Sequence, residues 1–93
     1  MKYEIMTIYK ISLGEEGAKD LSKKVQELVT SLNAKILENN FWGRRKFAYE
    51  IKHDTEGFYD VLTFEAESSV VLKLKAKLNL LNGLVRYLIT AQK

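Results

Sequence analysis

The sequence predicts an α+β fold in which a four-stranded antiparallel sheet carries two helices. Three observations point to it. Two segments, Ala18–Leu32 and Val71–Leu81, repeat apolar residues at three- and four-residue spacing, the stripe of an amphipathic helix. The segments around them alternate with a period of two and favour β-branched and aromatic residues, as half-buried strands do. Breakers fall at the junctions: Gly14, Asn33, Gly57 and Asn82-Gly83.

The first strand is read as Tyr3–Ile11, with Ile5, Thr7, Tyr9 and Ile11 on one face and Met6 and Ile8 on the other. Apolar on both faces, it belongs in the sheet interior. From Glu15 to about Asn33 a helix aligns Ala18, Leu21, Val25, Leu28, Val29 and Leu32; Glu15 and Glu16 sit at the positive end of its dipole, and Asn33 suits its C-terminus. Ala34–Lys52 reads as strand, with a bulge expected at Gly43. His53–Gly57 reads as a polar hairpin loop, and Phe58–Glu67 as the third strand, with Phe58, Asp60, Leu62 and Phe64 on one face. Leu72–Leu78 alternates like a strand, yet Val71, Leu74, Leu78 and Leu81 make a helical stripe from strong helix formers. Ser68 or Ser69 supplies an N-cap and Asn82-Gly83 a stop, so helix is the better reading, and Leu84–Thr90 closes the chain as the fourth strand. This order, strand-helix-strand-strand-helix-strand, is the ferredoxin-like split βαβ arrangement, a single domain over residues 1–93 with both helices on one face of the sheet.

Composition narrows the function classes. A chain of 93 residues, 46% hydrophobic and 29% charged, has room for one modest core. Its formal charge of +3 suits a polyanionic partner. With no cysteine there is no disulfide framework, thiolate nucleophile or Cys-based metal site. No apolar run approaches the ~20 residues of a membrane span. Glu4 stands where a signal peptide would be entering its apolar region, so a cytoplasmic protein is expected. The only histidine, His53, has no neighbouring nucleophile to activate. Asp54 and Glu56 provide fewer oxygen ligands than a hard cation needs. There is no Gly-rich phosphate loop. No enzyme activity, cofactor or metal is expected.

The most distinctive stretch is Trp42-Gly43-Arg44-Arg45-Lys46-Phe47-Ala48-Tyr49-Glu50-Ile51, three consecutive cations between aromatic residues. Strand alternation puts Arg45, Phe47, Tyr49 and Ile51 on one face, expected to be the core face, and Arg44, Lys46, Ala48 and Glu50 on the other, expected to be open. The plain alternative is a solvated edge strand whose charges discourage edge-to-edge pairing. An RNA recognition motif shares the strand order and stacks bases on sheet aromatics. Glu56–Val61 is superficially like its third-strand signature, but Glu56 stands where that motif wants a cation and Asp60 interrupts the aromatic run.

The same stretch resembles the WGRR-x-LAYPI signature of bacterial small-subunit ribosomal protein six. Tyr3-Glu4 matches that family's opening, Gly57 with its following aromatics its third strand, and Asn82-Gly83-Leu84-Val85 its Asn-Asp-x-Val segment. The resemblance covers essentially all 93 residues. It implies a structural role in the platform of the small ribosomal subunit. There the chain would dock on the central domain of small-subunit rRNA as a heterodimer with small-subunit ribosomal protein eighteen. The RNA contacts it implies are Lys2, Tyr3, Arg44, Arg45 and Lys46, with Arg86 the candidate from the last strand, beside Tyr87 where many members carry arginine. Tyr49 is assigned to packing. Two departures stand out: Glu50 replaces the family's proline, restoring a backbone N–H and adding an acid, and Tyr87 replaces arginine. The chain stops at Lys93 without the acidic extension some members carry, so no function of that tail is expected. An independent RNA-binding module of the RNA recognition motif type is the alternative.

Overall fold

The computed structural model describes the backbone of residues 1–51 and 54–92, with side chains described outside 48–51 and 54. Expectations for His53, Ala48, Tyr49 and Glu50 side chains therefore lie outside the described residues. The elements are β1 (Lys2–Lys10), a single 3-10 turn (Ile11–Leu13), α1 (Gly14–Ser31), β2 (Lys35–Ile51), β3 (Asp54–Glu65), α2 (Ser68–Leu78) and β4 (Leu84–Gln92). All strand pairs are antiparallel, in the order β2-β3-β1-β4. This is the expected ferredoxin-like topology, and it puts β1, apolar on both faces, in the interior.

The end of α1 shows why Asn33 works as a stop. Asn33 adopts φ 65°, a left-handed conformation asparagine tolerates. Its N–H donates to Thr30 O at 3.1 Å and the next N–H, of Ala34, to Val29 O at 3.3 Å, while Ala34 and Val29 are both buried. That is a Schellman motif, which satisfies carbonyls the helix would leave bare.

Three boundaries differ from the sequence reading. The N-cap of α2 is Glu67, which makes no side-chain capping bond, and Ser68 and Ser69 lie inside the first turn. The same helix stops at Leu78, short of Asn82-Gly83. The hairpin is also longer than expected: Thr55, Glu56 and Gly57 are strand, with Glu56 opposite Lys46 and Gly57 between Arg45 and Lys10. Non-local ladder pairing with the long β2 overrides the weak strand preference of these polar residues.

The core lies between the helices and the sheet face carrying Tyr3, Ile5, Tyr9, Phe58, Leu62 and Phe64. Val25 and Val29 from α1 and Leu74 and Leu78 from α2 close over it. Leu28, expected on the core stripe, packs only at its margin. Strand alternation carries Asp60 onto this same face, and it is only 3% exposed. A buried carboxyl needs donors. Ser22 Oγ and Tyr9 OH donate to its Oδ2, the latter at 3.4 Å, and Asn39 Nδ2 donates to Oδ1 at 2.9 Å. The network ties α1, β1 and β2 to the centre of β3.

Burial drives the Tyr9 phenol well above the ordinary tyrosine range. In the unfolded chain that group ionises near pH 10. Above about pH 10 the unfolded state therefore binds fewer protons than the folded one, and stability falls as pH rises. Tyr9→Phe is expected to lose about 1 kcal/mol at neutral pH with its hydrogen bond. It should also flatten the alkaline decline, as denaturant melts at neutral and alkaline pH would read directly.

Candidate nucleic-acid interface

β2 is an edge strand interrupted by bulges, and one of them shapes the basic stretch. Phe41 pairs with Asp60 and Gly43 with Tyr59, so Trp42 is the extra residue. Gly43 at φ 83° occupies a region that a β-carbon disfavours, and this lets the strand twist there. On the helix side Phe41 stacks on Phe58 at 6.3 Å, with Lys19 Nζ 5.7 Å from its ring centroid. Trp42 is turned to the open face and stands parallel to Tyr59, ring centroids 6.5 Å apart and planes within 3°.

Beyond the bulge, Arg44 lies opposite Phe58, Arg45 opposite Gly57 and Lys46 opposite Glu56. Arg44 and Lys46 thus face the helix side, and Arg45 and Phe47 the open side. Within Arg44–Phe47 the expected alternation holds, but the two faces are exchanged; beyond it the register shifts again, and Ile51 pairs with Asp54. The reason for the exchange is Gly57. A β-carbon there would meet Phe47 Cζ and Ile8 Cγ2 at 2.8 Å each. The absence of one leaves a slot on the open face, where the Phe47 ring packs over the glycine and tilts onto Tyr59 at 6.1 Å. Phe47 is half-buried, covered by β1 and β3 rather than by the helices.

Arg44 lines a cleft with Ile11, Gly14, Glu15 and Phe58 at the start of α1. Its Nε lies 3.9 Å from Glu56 Oε1, a long pair with an exposed guanidinium and a half-buried carboxylate, which contributes little to stability. Arg45 Nη1 donates to Arg44 O at 3.0 Å. The three cations therefore straddle an edge strand, one on the open side and two on the other. Such an edge can follow a phosphate chain, and guanidinium forks suit phosphate oxygens.

Arg86 reaches the same end of the open face. It pairs with Ile8, which pairs with Tyr59, which pairs with Gly43, so all four strands meet in one row. Tyr87 points to the helix side, where its hydroxyl donates to Asn79 Oδ1 at 2.9 Å and holds the end of α2. Lys2 is exposed but sits at the opposite end of β1, eight residues from Lys10, or about 26 Å at the usual strand rise. Tyr3 is 6% exposed, stacked on Phe64 at 5.6 Å, with its hydroxyl turned to Met1 Sδ at 3.5 Å. Its odd-numbered position in β1 commits it to the core face. The structure thus brings Arg44, Arg45, Lys46 and Arg86 to the hairpin end and leaves Lys2 and Tyr3 apart.

Sequence reasoning missed Lys10, which joins Arg45 in one row across Gly57, and Tyr59 as the ring beside Trp42. Both depend on hairpin register, and the polar stretch taken for a loop concealed that register. Among the described residues, no group of three His, Asp or Glu side chains could hold a metal ion, and no helix is long and apolar enough to cross a membrane.

The family model described as Ribosomal protein S6 matches residues 2–91. The small ribosomal subunit protein bS6 of Fusobacterium nucleatum is 38% identical over 91 residues, covering 98% of this chain and 97% of that protein. Its counterpart from Symbiobacterium thermophilum is 40% identical over 88 residues, covering 95% and 93%. The crystal structure of 30S ribosomal protein S6 from Thermotoga maritima superposes with a TM-score of 0.91 at 29% identity, covering 96% of this chain and 84% of that one. A match of this extent to the family model, with near-full-length relatives and the same fold, means that the chain belongs to the ribosomal protein S6 family.

Proposed function

We propose that this chain, a structural protein of the small subunit of the cytoplasmic ribosome, docks on the central domain of small-subunit rRNA together with ribosomal protein eighteen during platform assembly. The observation that carries the reading is the basic hairpin end. Arg44, Arg45 and Lys46 project on both sides of an edge strand, and Arg86 converges from β4. Lys2 is kept as a peripheral contact from the far end of the sheet. The role is non-enzymatic: the basic residues act by position and charge.

Few phosphates can be neutralised by a chain of net charge +3. Each contributes a slope of only about −0.7 to −0.9 in log affinity against log salt. Binding by the free protein is therefore weak and shallow in its salt dependence. The partner adds its own cations and fixes the orientation of the surface, so that two weak contacts act as one bidentate ligand. The outer edge of β4 suits that partner, since among the described residues no strand pairs with it and Leu88 beside it is 62% exposed.

The test is a filter-retention titration of a central-domain rRNA fragment across a salt series, for each protein alone and for the pair. The expected result is weak binding by this chain alone and a sharp rise with the pair. Tight, steeply salt-dependent binding by this chain alone, unchanged by the partner, would favour an independent RNA-binding module instead.

A further inference from the structure

The open face of the sheet is divided by chemistry, and the hairpin half has an arrangement that phosphate contacts alone do not use. Trp42 is 46% exposed although it is the largest side chain of the domain, and it stands parallel to Tyr59. Phe47, wedged over Gly57, supports the Tyr59 ring from the other side. Arg86 lies in the Tyr59 row, and Arg45 and Lys10 lie in the row beyond it. The rows toward the other end run Asn40–Val61–Met6–Leu88 and then Glu38–Thr63–Glu4–Thr90. Among the described side chains, the first carboxylates of this face in that direction thus appear four residues from Tyr59. That is about 13 Å at the usual strand rise, beyond a Debye length of about 10 Å at 0.1 M salt.

We infer that Trp42 is a stacking site for one unpaired base of single-stranded RNA, with the flanking phosphates held by Arg45, Lys10 and Arg86. An exposed planar ring, held upright by a parallel neighbour on a rigid sheet, offers a π-surface that every base can use. The charge around it selects a polyanion. Arg45 on β2 and Arg86 on β4 are separated by three inter-strand gaps, about 14 Å, so cations lie on both sides of the rings. A protein occupant of this half would have to bring acids to meet three cations, whereas a nucleotide chain supplies base and phosphate together. Asp60, which spoils the aromatic run in sequence, is buried on the opposite face and does not intrude on the site.

This inference rests on the reading of the chain as an RNA binder, and the two can fail separately. Trp42 is the only tryptophan, so its emission reports on this position alone. The full chain is titrated at low salt with a fluorescein-labelled oligoadenylate and with the same oligomer carrying abasic sites. RNA anisotropy reports binding, and unlabelled RNA is used in parallel for tryptophan emission. The inference expects oligoadenylate to quench Trp42 along the binding isotherm and the abasic oligomer to leave emission nearly unchanged. Trp42→Ala should weaken oligoadenylate binding about ten-fold or more, while Trp42→Phe, which keeps a ring, stays within a few-fold of wild type. The exposure of Trp42 makes both variants compatible with folding, which a melting curve confirms. Binding with unchanged emission and an indifferent Trp42→Ala would overturn the stacking site while leaving phosphate binding intact. Absence of any oligoadenylate binding would overturn the stacking site, while the reading as an RNA binder is overturned only if the pair also fails to bind the central-domain fragment. Quenching by ribosomal protein eighteen without RNA would assign Trp42 to the protein partner and overturn the inference.

Discussion

Phe64→Ala is expected to lower the unfolding free energy by about 3–5 kcal/mol, the range for an aromatic removed from a packed interior. Phe64 is fully buried on β3, an interior strand, and stacks on Tyr3 at 5.6 Å. It pairs with Tyr3 of β1 on one side and Ile36 of β2 on the other. Its removal leaves a void that rigid strands on both sides cannot close. A small domain has about 5–15 kcal/mol in total, so the loss is a large share. Leu28→Ala, at the margin of the core, should lose clearly less. Urea melts of the two variants against wild type provide the comparison. Equal losses would mean that the core is not centred where Phe64 sits.

The second large effect concerns the basic edge. Arg44→Ala combined with Arg45→Ala and Lys46→Ala should strongly weaken RNA binding by the pair and lower the salt slope by up to about 3, roughly one for each phosphate no longer neutralised. The three side chains are exposed, so folding should be little affected, with each substitution worth less than about 0.5 kcal/mol. Salt-dependent filter binding and a thermal melt on the same preparation separate the two effects. An unchanged slope with weakened binding would mean that these cations act through the protein partner rather than on phosphate.

How far the sequence could be read follows from which interactions are local. The faces of β1 and β3 were legible because period-two alternation runs through them unbroken, even to Asp60 on the apolar face. The α1 stop at Asn33 was legible because a Schellman motif is built from neighbours. In Arg44–Phe47 of β2 the alternation was legible but its sense was not. The open-face slot for Phe47 exists because Gly57, on another strand, has no side chain. Nothing within Trp42–Ile51 carries that information. Likewise Thr55–Gly57 look like a loop until Glu56 and Gly57 are paired with β2 and Gly57 with β1. Tyr3 reads equally as contact or core from composition, and only the register against Phe64 decides it. The cations of the site were visible as a motif. Their convergence with Arg86 and Lys10 is a property of the sheet order.

The central claim is that the hairpin end of the sheet, and not the helical layer, lies against the central domain of the rRNA. The chain has no cysteine, so a single introduced thiol can carry a hydroxyl-radical source to one defined place. Thr55→Cys puts it at the exposed hairpin end, and Lys24→Cys on the solvent side of α1. Each tethered protein is assembled with ribosomal protein eighteen on a central-domain fragment, and strand cleavage is mapped. Strong, localised cleavage from position 55 with little from position 24 is the expected result. Strong cleavage from position 24 with none from position 55 would contradict the account.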